Sequence, residues 1–125
     1  MKNNKGFTLT EVIVTSVIVA ALAVVAIPAY NSYIVTAQTS MAQQQCQLIS
    51  ASVAHNHNQG TDIRANTWTD LGMNAPNSGS WQFTFPALGP DVSISTTYKI
   101  TATDTTGKYG TWDYAPNGSP QWVKR

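Results

Sequence analysis

The sequence predicts an α+β protein: one long N-terminal helix, membrane-length in its first half and amphipathic in its second, packed on a small antiparallel sheet of about four strands. Three observations predict it. From Phe7 to Ile27 run 21 residues that carry a single charge, Glu11. Apolar residues then recur at helical spacing through about residue 54, and from Trp81 onward short alternating segments are separated by turn residues.

At about 1.5 Å per residue the first segment reaches roughly 31 Å, the hydrocarbon thickness of a bilayer. A secretory signal has an apolar core of about 7 to 15 residues closed by a small-x-small site. This run is longer and ends at Pro28. Lys2 and Lys5 flank it on the N-terminal side, and the next charged residue after Glu11 is Asp62. The positive-inside rule therefore places the short N-terminus in the cytoplasm and the bulk of the chain outside, with one pass through the membrane.

Glu11 is out of keeping with its surroundings, because a carboxylate at mid-membrane is unfavourable by roughly 2.5 to 3.5 kcal/mol on insertion scales. The segment offers it no Lys, Arg or His. Cutting the Gly6–Phe7 bond would create an α-amine at Phe7. Within one helix that amine and Glu11 stand roughly 6 Å apart along the axis. Between parallel helices offset along their axes, the amine of one chain could meet the Glu11 of another and each would neutralise the other. A plain anchor with an incidental Glu11 is the alternative.

Lys5-Gly6-Phe7-Thr8-Leu9-Thr10-Glu11, followed by a continuous apolar run and Pro28, closely resembles the cleavage motif of type IV pilins and type II secretion pseudopilins. The match covers about 30 residues of the chain, and Thr10 departs from it, standing where that family usually has an aliphatic residue. The resemblance implies that residues 1–6 are a leader, that a prepilin peptidase cuts between Gly6 and Phe7 and methylates the new Phe7 amine, and that Glu11 pairs with a neighbouring Phe7 amine during assembly. It further implies a membrane and filament-core helix over 7–28, a soluble pilin-like domain over 29–125, assembly by inner-membrane machinery into a helical homo-oligomer, and passage from the cytoplasmic membrane to an extracellular pilus. Removing residues 1–6 would change the charge from +1 to five basic against six acidic side chains.

Past Pro28, which should kink or loosen the helix near Val24 to Ala29, Ile34, Met41 and Leu48 recur at seven residues with Tyr30, Ala37 and Ala51 beside them. That spacing predicts an amphipathic helix over 29–54 with this stripe on the sheet. His55-Asn56-His57-Asn58-Gln59-Gly60 reads as its stop, and 55–80 as a connecting region in which Trp68 and Leu71 plug the core edge. The strand candidates over 81–125 are Trp81 to Phe85, the weaker Val92 to Thr96, Tyr98 to Thr103, Tyr109 to Tyr114 and Gln121 to Val123, the last two separated by the turn Pro116-Asn117-Gly118.

The chemistry-bearing residues do not form a familiar catalytic set. His55 and His57 lack a third ligand nearby. Asp104 and Asp113 fall short of the six to eight oxygens that Ca²⁺ takes. Trp112, Tyr114 and Trp122 read as core strand aromatics, with an exposed binding patch as the alternative. No Ser-His-Asp, Cys-His or Gly-rich phosphate-binding arrangement occurs, so neither an enzyme, a metal nor another cofactor is expected. The thin scatter of charge excludes a nucleic-acid footprint. Cys46 is the only cysteine, which rules out an intrachain disulfide.

Three functions compete: a structural subunit of a type IV pilus serving adhesion or motility, a pseudopilin of a type II secretion or DNA-uptake machine, and a membrane-tethered binding module.

Overall fold

A computed structural model describes residues 6–62, 67–76, 79–87, 98–118 and 121–125. Its elements are one helix, α1 (Leu9–Asn58), and four strands, β1 (Trp81–Thr84), β2 (Ile100–Asp104), β3 (Thr111–Tyr114) and β4 (Trp122–Lys124). The strands form an antiparallel sheet in the order β1-β2-β3-β4. The chain divides into two compact units after Thr36.

In the first unit, α1 is long and apolar enough to cross a membrane, and none of its apolar stretch is buried within the chain. Two hydroxyl side chains within the apolar stretch are satisfied by their own helix. Thr15 Oγ1 donates to the carbonyls of Glu11 at 2.9 Å and Val12 at 3.0 Å, and Ser16 Oγ donates to Val12 at 2.7 Å. Such back-bonding lets polar side chains sit in lipid, where no water is available to them. The helix runs through Pro28 without ending there. What the proline removes is one N–H, the donor that the Val24 carbonyl would otherwise receive.

In the second unit the helix buries Ala42, Cys46, Ile49 and Val53, at spacings of four, three and four. This is not the stripe read from the sequence. Met41 and Leu48 are 53% and 57% exposed, Tyr30 and Ala51 are exposed, and Ile34 and Ala37 are only half-buried. Ala42 and Ile49 each lie one residue, or about 100° of helix rotation, beyond Met41 and Leu48, the large residues that suggested themselves. The partner surface selects the face. Trp81, Phe83, Tyr98 and Tyr114 share one buried cluster with Ala42, Cys46, Ile49 and Val53, and small residues such as Ala42 and Cys46 leave room for bulky aromatics at native packing density. Cys46 is thus a core residue, and burial pushes its thiol up to about 12.

The helix also continues four residues past the expected stop at 54, taking in His55 to Asn58. Its end is a Schellman motif: Thr61 N–H donates to the Asn56 carbonyl and Gly60 N–H to the His57 carbonyl, both at 3.0 Å. Gly60 adopts the required left-handed backbone at φ 73°. Asn56 remains helical because its Nδ2 donates to the Ser52 carbonyl at 3.0 Å and to the Leu71 carbonyl at 3.1 Å. That second bond fastens the helix end to the connecting region.

Trp68 and Leu71 occupy the places expected of them. Leu71 is buried, and Trp68 meets Phe85 edge to face at 5.0 Å. Four of the five strand candidates are strands, shifted by one or two residues at their ends; Val92 to Thr96 lies outside the described residues. Pairing of Phe83 with Ala102, Ala102 with Trp112 and Trp112 with Lys124 puts one alternating set on the core face. The other face carries Gln82, Thr84, Thr101, Thr103, Thr111, Asp113 and Val123, nearly all polar. Tyr98 ties the sheet to the helix through its hydroxyl, which donates to the Ser50 carbonyl at 3.3 Å.

The strand aromatics follow the core reading, with Tyr114 buried and Trp112 and Trp122 half-buried. The two tryptophans stack at 5.1 Å between ring centres.

Asp104 sits on the core face and is only 4% exposed. It builds the β2–β3 turn: its carboxylate accepts from Thr106 Oγ1 at 2.6 Å, Tyr109 N–H at 2.9 Å and Thr106 N–H at 3.2 Å. Burial alone would raise its pKa, but the hydroxyls of Thr106 and Ser80 and the amides of Tyr109 and Thr106 outweigh it and hold the group well below the usual carboxylate range. A depressed folded-state pKa contributes stability that is present above the unfolded value of about 3.9 and is lost as pH falls toward the folded value. Urea unfolding of a soluble fragment starting at Ala29 is therefore expected to show stability dropping between pH 5 and pH 2. Asp104→Asn should give a weaker fragment with a flatter acid limb; an equally steep limb in the variant would show that other carboxylates control acid unfolding.

Candidate assembly site at the helix N-terminus

The residues singled out by the sequence, Gly6, Phe7 and Glu11, lie at the start of α1, while Pro28 lies five turns further along it. Lys2 and Lys5 are outside the described residues. Phe7 is 89% exposed. A side chain added at Gly6 would meet nothing within 4 Å, so local packing gives no reason for glycine at that position.

Glu11 has partners that the sequence reading did not find. Thr8 precedes the first helical residue, Leu9, and Glu11 is the third residue of the helix. Thr8 N–H donates to Glu11 Oε2 at 2.7 Å, Thr8 Oγ1 donates to the same oxygen at 2.8 Å, and Glu11 N–H approaches Thr8 Oγ1 at 3.3 Å. This is a capping box, in which the side chains at the two ends of the first turn satisfy each other's backbone amides. The carboxylate also stands at the positive end of the helix dipole. Its charge is therefore compensated by neutral donors of its own chain while the Gly6–Phe7 bond is intact. The signal was present as Thr8-Leu9-Thr10-Glu11, a Thr-x-x-Glu step ahead of an apolar run.

Among the described residues Oε1 of Glu11 has no hydrogen-bond partner. An open, shallow groove beside it is lined by Thr8, Thr10, Glu11, Val14 and Thr15.

The metal readings do not converge on a site. Asp104 points to the core face and Asp113 lies on the opposite face, where it pairs with Arg125 at 3.3 Å and accepts from Thr101 Oγ1 at 3.0 Å. His55 and His57 are two apart on a helix and so project in different directions.

Comparison with known proteins bears on this same end of the chain. Residues 1–27 match the family model described as the prokaryotic N-terminal methylation motif. The chain is 38% identical over 60 residues to a protein named fimbrial protein from Moraxella nonliquefaciens, an alignment covering 48% of this chain and 39% of that relative. No solved structure matches. Residues 1–27, which match that motif model, are thus the segment that carries the chain's resemblance to type IV pilins and pseudopilins.

Proposed function

We propose that this chain is a structural subunit of a type IV pilus-like filament, cut after Gly6, methylated at Phe7 and polymerised through its N-terminal helix. The observation that carries the reading is a membrane-length apolar helix, unburied within its own chain, that begins at a methylation motif and holds one carboxylate in its first turn. An apolar surface of this length needs a cover: lipid before assembly, and the helices of other copies after it. The fimbrial relative supports the filament outcome. Gly6 supports the processing step, since local packing does not demand glycine there and a peptidase that must bring the backbone close has reason to. The protein's work is mechanical, in adhesion or motility, with the inner-membrane assembly machinery and the prepilin peptidase as partners.

Shearing of surface filaments followed by mass spectrometry tests both steps. The filament band is expected to contain this chain, beginning at Phe7 and heavier by one methyl group at its amine. An N-terminus at Met1 or Lys2 in assembled protein would overturn the processing step. A mature chain that never leaves the envelope would favour the pseudopilin reading.

A further inference from the structure

We propose that the open cavity between the second half of α1 and the β2–β3 turn binds a hydroxylated organic anion of the uronic-acid class, a sugar ring that bears a carboxylate. This site lies in the second unit and does not depend on the filament reading. The cavity measures about 490 Å³ and is lined by Gln38 from the helix, Gly79 and Ser80 from the run into β1, and Thr106, Lys108 and Tyr109 from the turn. Its volume falls within the usual range of small-molecule sites, ~300 to 1,000 Å³. Lys108 supplies the charge. Lys99 and Arg125 both approach Asp113, whereas Lys108 meets no carboxylate among the described residues. Its ammonium lies 5.5 Å from the ring centre of Tyr109, a cation–π contact that holds it at the cavity wall. Tyr109 is stacked in turn on the buried Trp81 at 6.0 Å, so the wall is supported from the core.

The hydroxyls choose the kind of anion. Thr106 Oγ1 donates its proton to Asp104 at 2.6 Å, and the Ser80 hydroxyl serves the same carboxylate. Asp104 is 4% exposed and also takes the Tyr109 and Thr106 amides, so its charge is compensated within the turn and Lys108 is left to a ligand. A hydroxyl has one proton and two lone pairs. With the protons committed to Asp104, Thr106 and Ser80 present acceptors to the cavity, even though one Thr106 lone pair faces the Lys108 N–H at 3.4 Å. A fully ionised inorganic anion or a phosphodiester has no proton to give them. A uronic acid has both parts: a carboxylate for Lys108 and ring hydroxyls that donate to Thr106 and Ser80, with Gln38 able to donate or accept.

Calorimetric titration of the full-length protein in detergent with trigalacturonate, and with the same trisaccharide as its methyl ester, separates charge from shape. The acid is expected to bind with a Kd below about 1 mM, and the ester about tenfold more weakly, the size of a lost charge-assisted hydrogen bond. Lys108→Met keeps the stem and removes the charge; it should weaken the acid about tenfold and leave the ester unchanged, while Lys108→Arg should stay near wild type. Gln38→Ala should weaken both ligands about threefold from the helix side. Lys99→Met alters net charge equally but at the Asp113 face, and should change neither. Lys108 is exposed and Gln38 half-buried, so thermal melting of these variants should match the wild type. Several results would overturn the site: no binding of the acid at about 1 mM, equal affinity for acid and ester, wild-type affinity in Lys108→Met, or an equal loss from Lys99→Met. Tighter binding of inorganic phosphate or of a single-stranded oligothymidylate than of trigalacturonate would assign the cavity to phosphate-bearing ligands and overturn the uronic-acid class.

Discussion

Glu11→Ala is expected to stop filament growth while leaving the protein in the membrane. Insertion should be intact or slightly better, because the substitution removes the one charged group in a 21-residue apolar run. Assembly should suffer because the Phe7 amine of an adjoining subunit would enter the filament core without its counter-charge. Leaving one partner of a buried pair alone costs on the order of 3 to 5 kcal/mol. That corresponds to roughly a hundredfold to several-thousandfold loss in the contact's equilibrium constant. The same substitution also opens the capping box, since Thr8 N–H loses its acceptor, a further cost of about 1 kcal/mol. Glu11→Gln should be milder, as an amide oxygen can still close the box. Membrane fractionation and filament yield must be scored separately in cells that make only the variant. Filaments at wild-type yield from Glu11→Ala would return the chain to a plain membrane anchor.

The second large effect concerns the helix face. In the soluble fragment from Ala29, Ile49→Ala should lower unfolding free energy by about 2 to 5 kcal/mol, the usual cost of emptying a fully buried aliphatic site. Ile49 has no exposed surface, and it joins the cluster that includes Ile100 and Ala102. A domain of this size is stable by only about 5 to 15 kcal/mol, so the variant should lose a large share of its stability. Leu48→Ala, one residue earlier, should change it by less than about 0.5 kcal/mol, as expected at an exposed position. Urea midpoints of the two variants decide the matter. A larger loss from Leu48 than from Ile49 would mean that the helix meets the sheet through the Met41 and Leu48 stripe. The fragment itself should be soluble and folded, because among the described residues the buried core runs from Ala42 to Tyr114; aggregation would show that the core needs the apolar helix.

The same pair of residues shows what could be read from the chain alone. Period and length reveal that a segment is helical, and here they did so for α1. They do not say which way the helix is turned, since a rotation of 100° exchanges Leu48 for Ile49 and both are large and apolar. The decision belongs to the partner surface, whose aromatic side chains share one buried cluster with Ala42, Cys46, Ile49 and Val53. The helix end was misplaced for a related reason. His55 to Asn58 have modest helix propensity, but Asn56 is held by Leu71, fifteen residues away, and Gly60 closes the turn. Asp104 and Asp113 already fell short of a Ca²⁺ ligand set in the sequence, but only strand pairing shows that the two lie on opposite faces.

At the N-terminus the balance runs the other way. The membrane-length run, its lone Glu11 and the Gly6–Phe7 step are local, so the sequence by itself determined them; the Thr8-to-Glu11 cap is as local, but its Thr-x-x-Glu signal was passed over until the structure showed it. Sheet alternation was equally legible, because a period of two follows from the geometry of a single strand. Only the tertiary structure decided the core stripe, the length of α1 and the work of Asp104, because each depends on groups far apart in sequence whose meeting is set by packing and strand register.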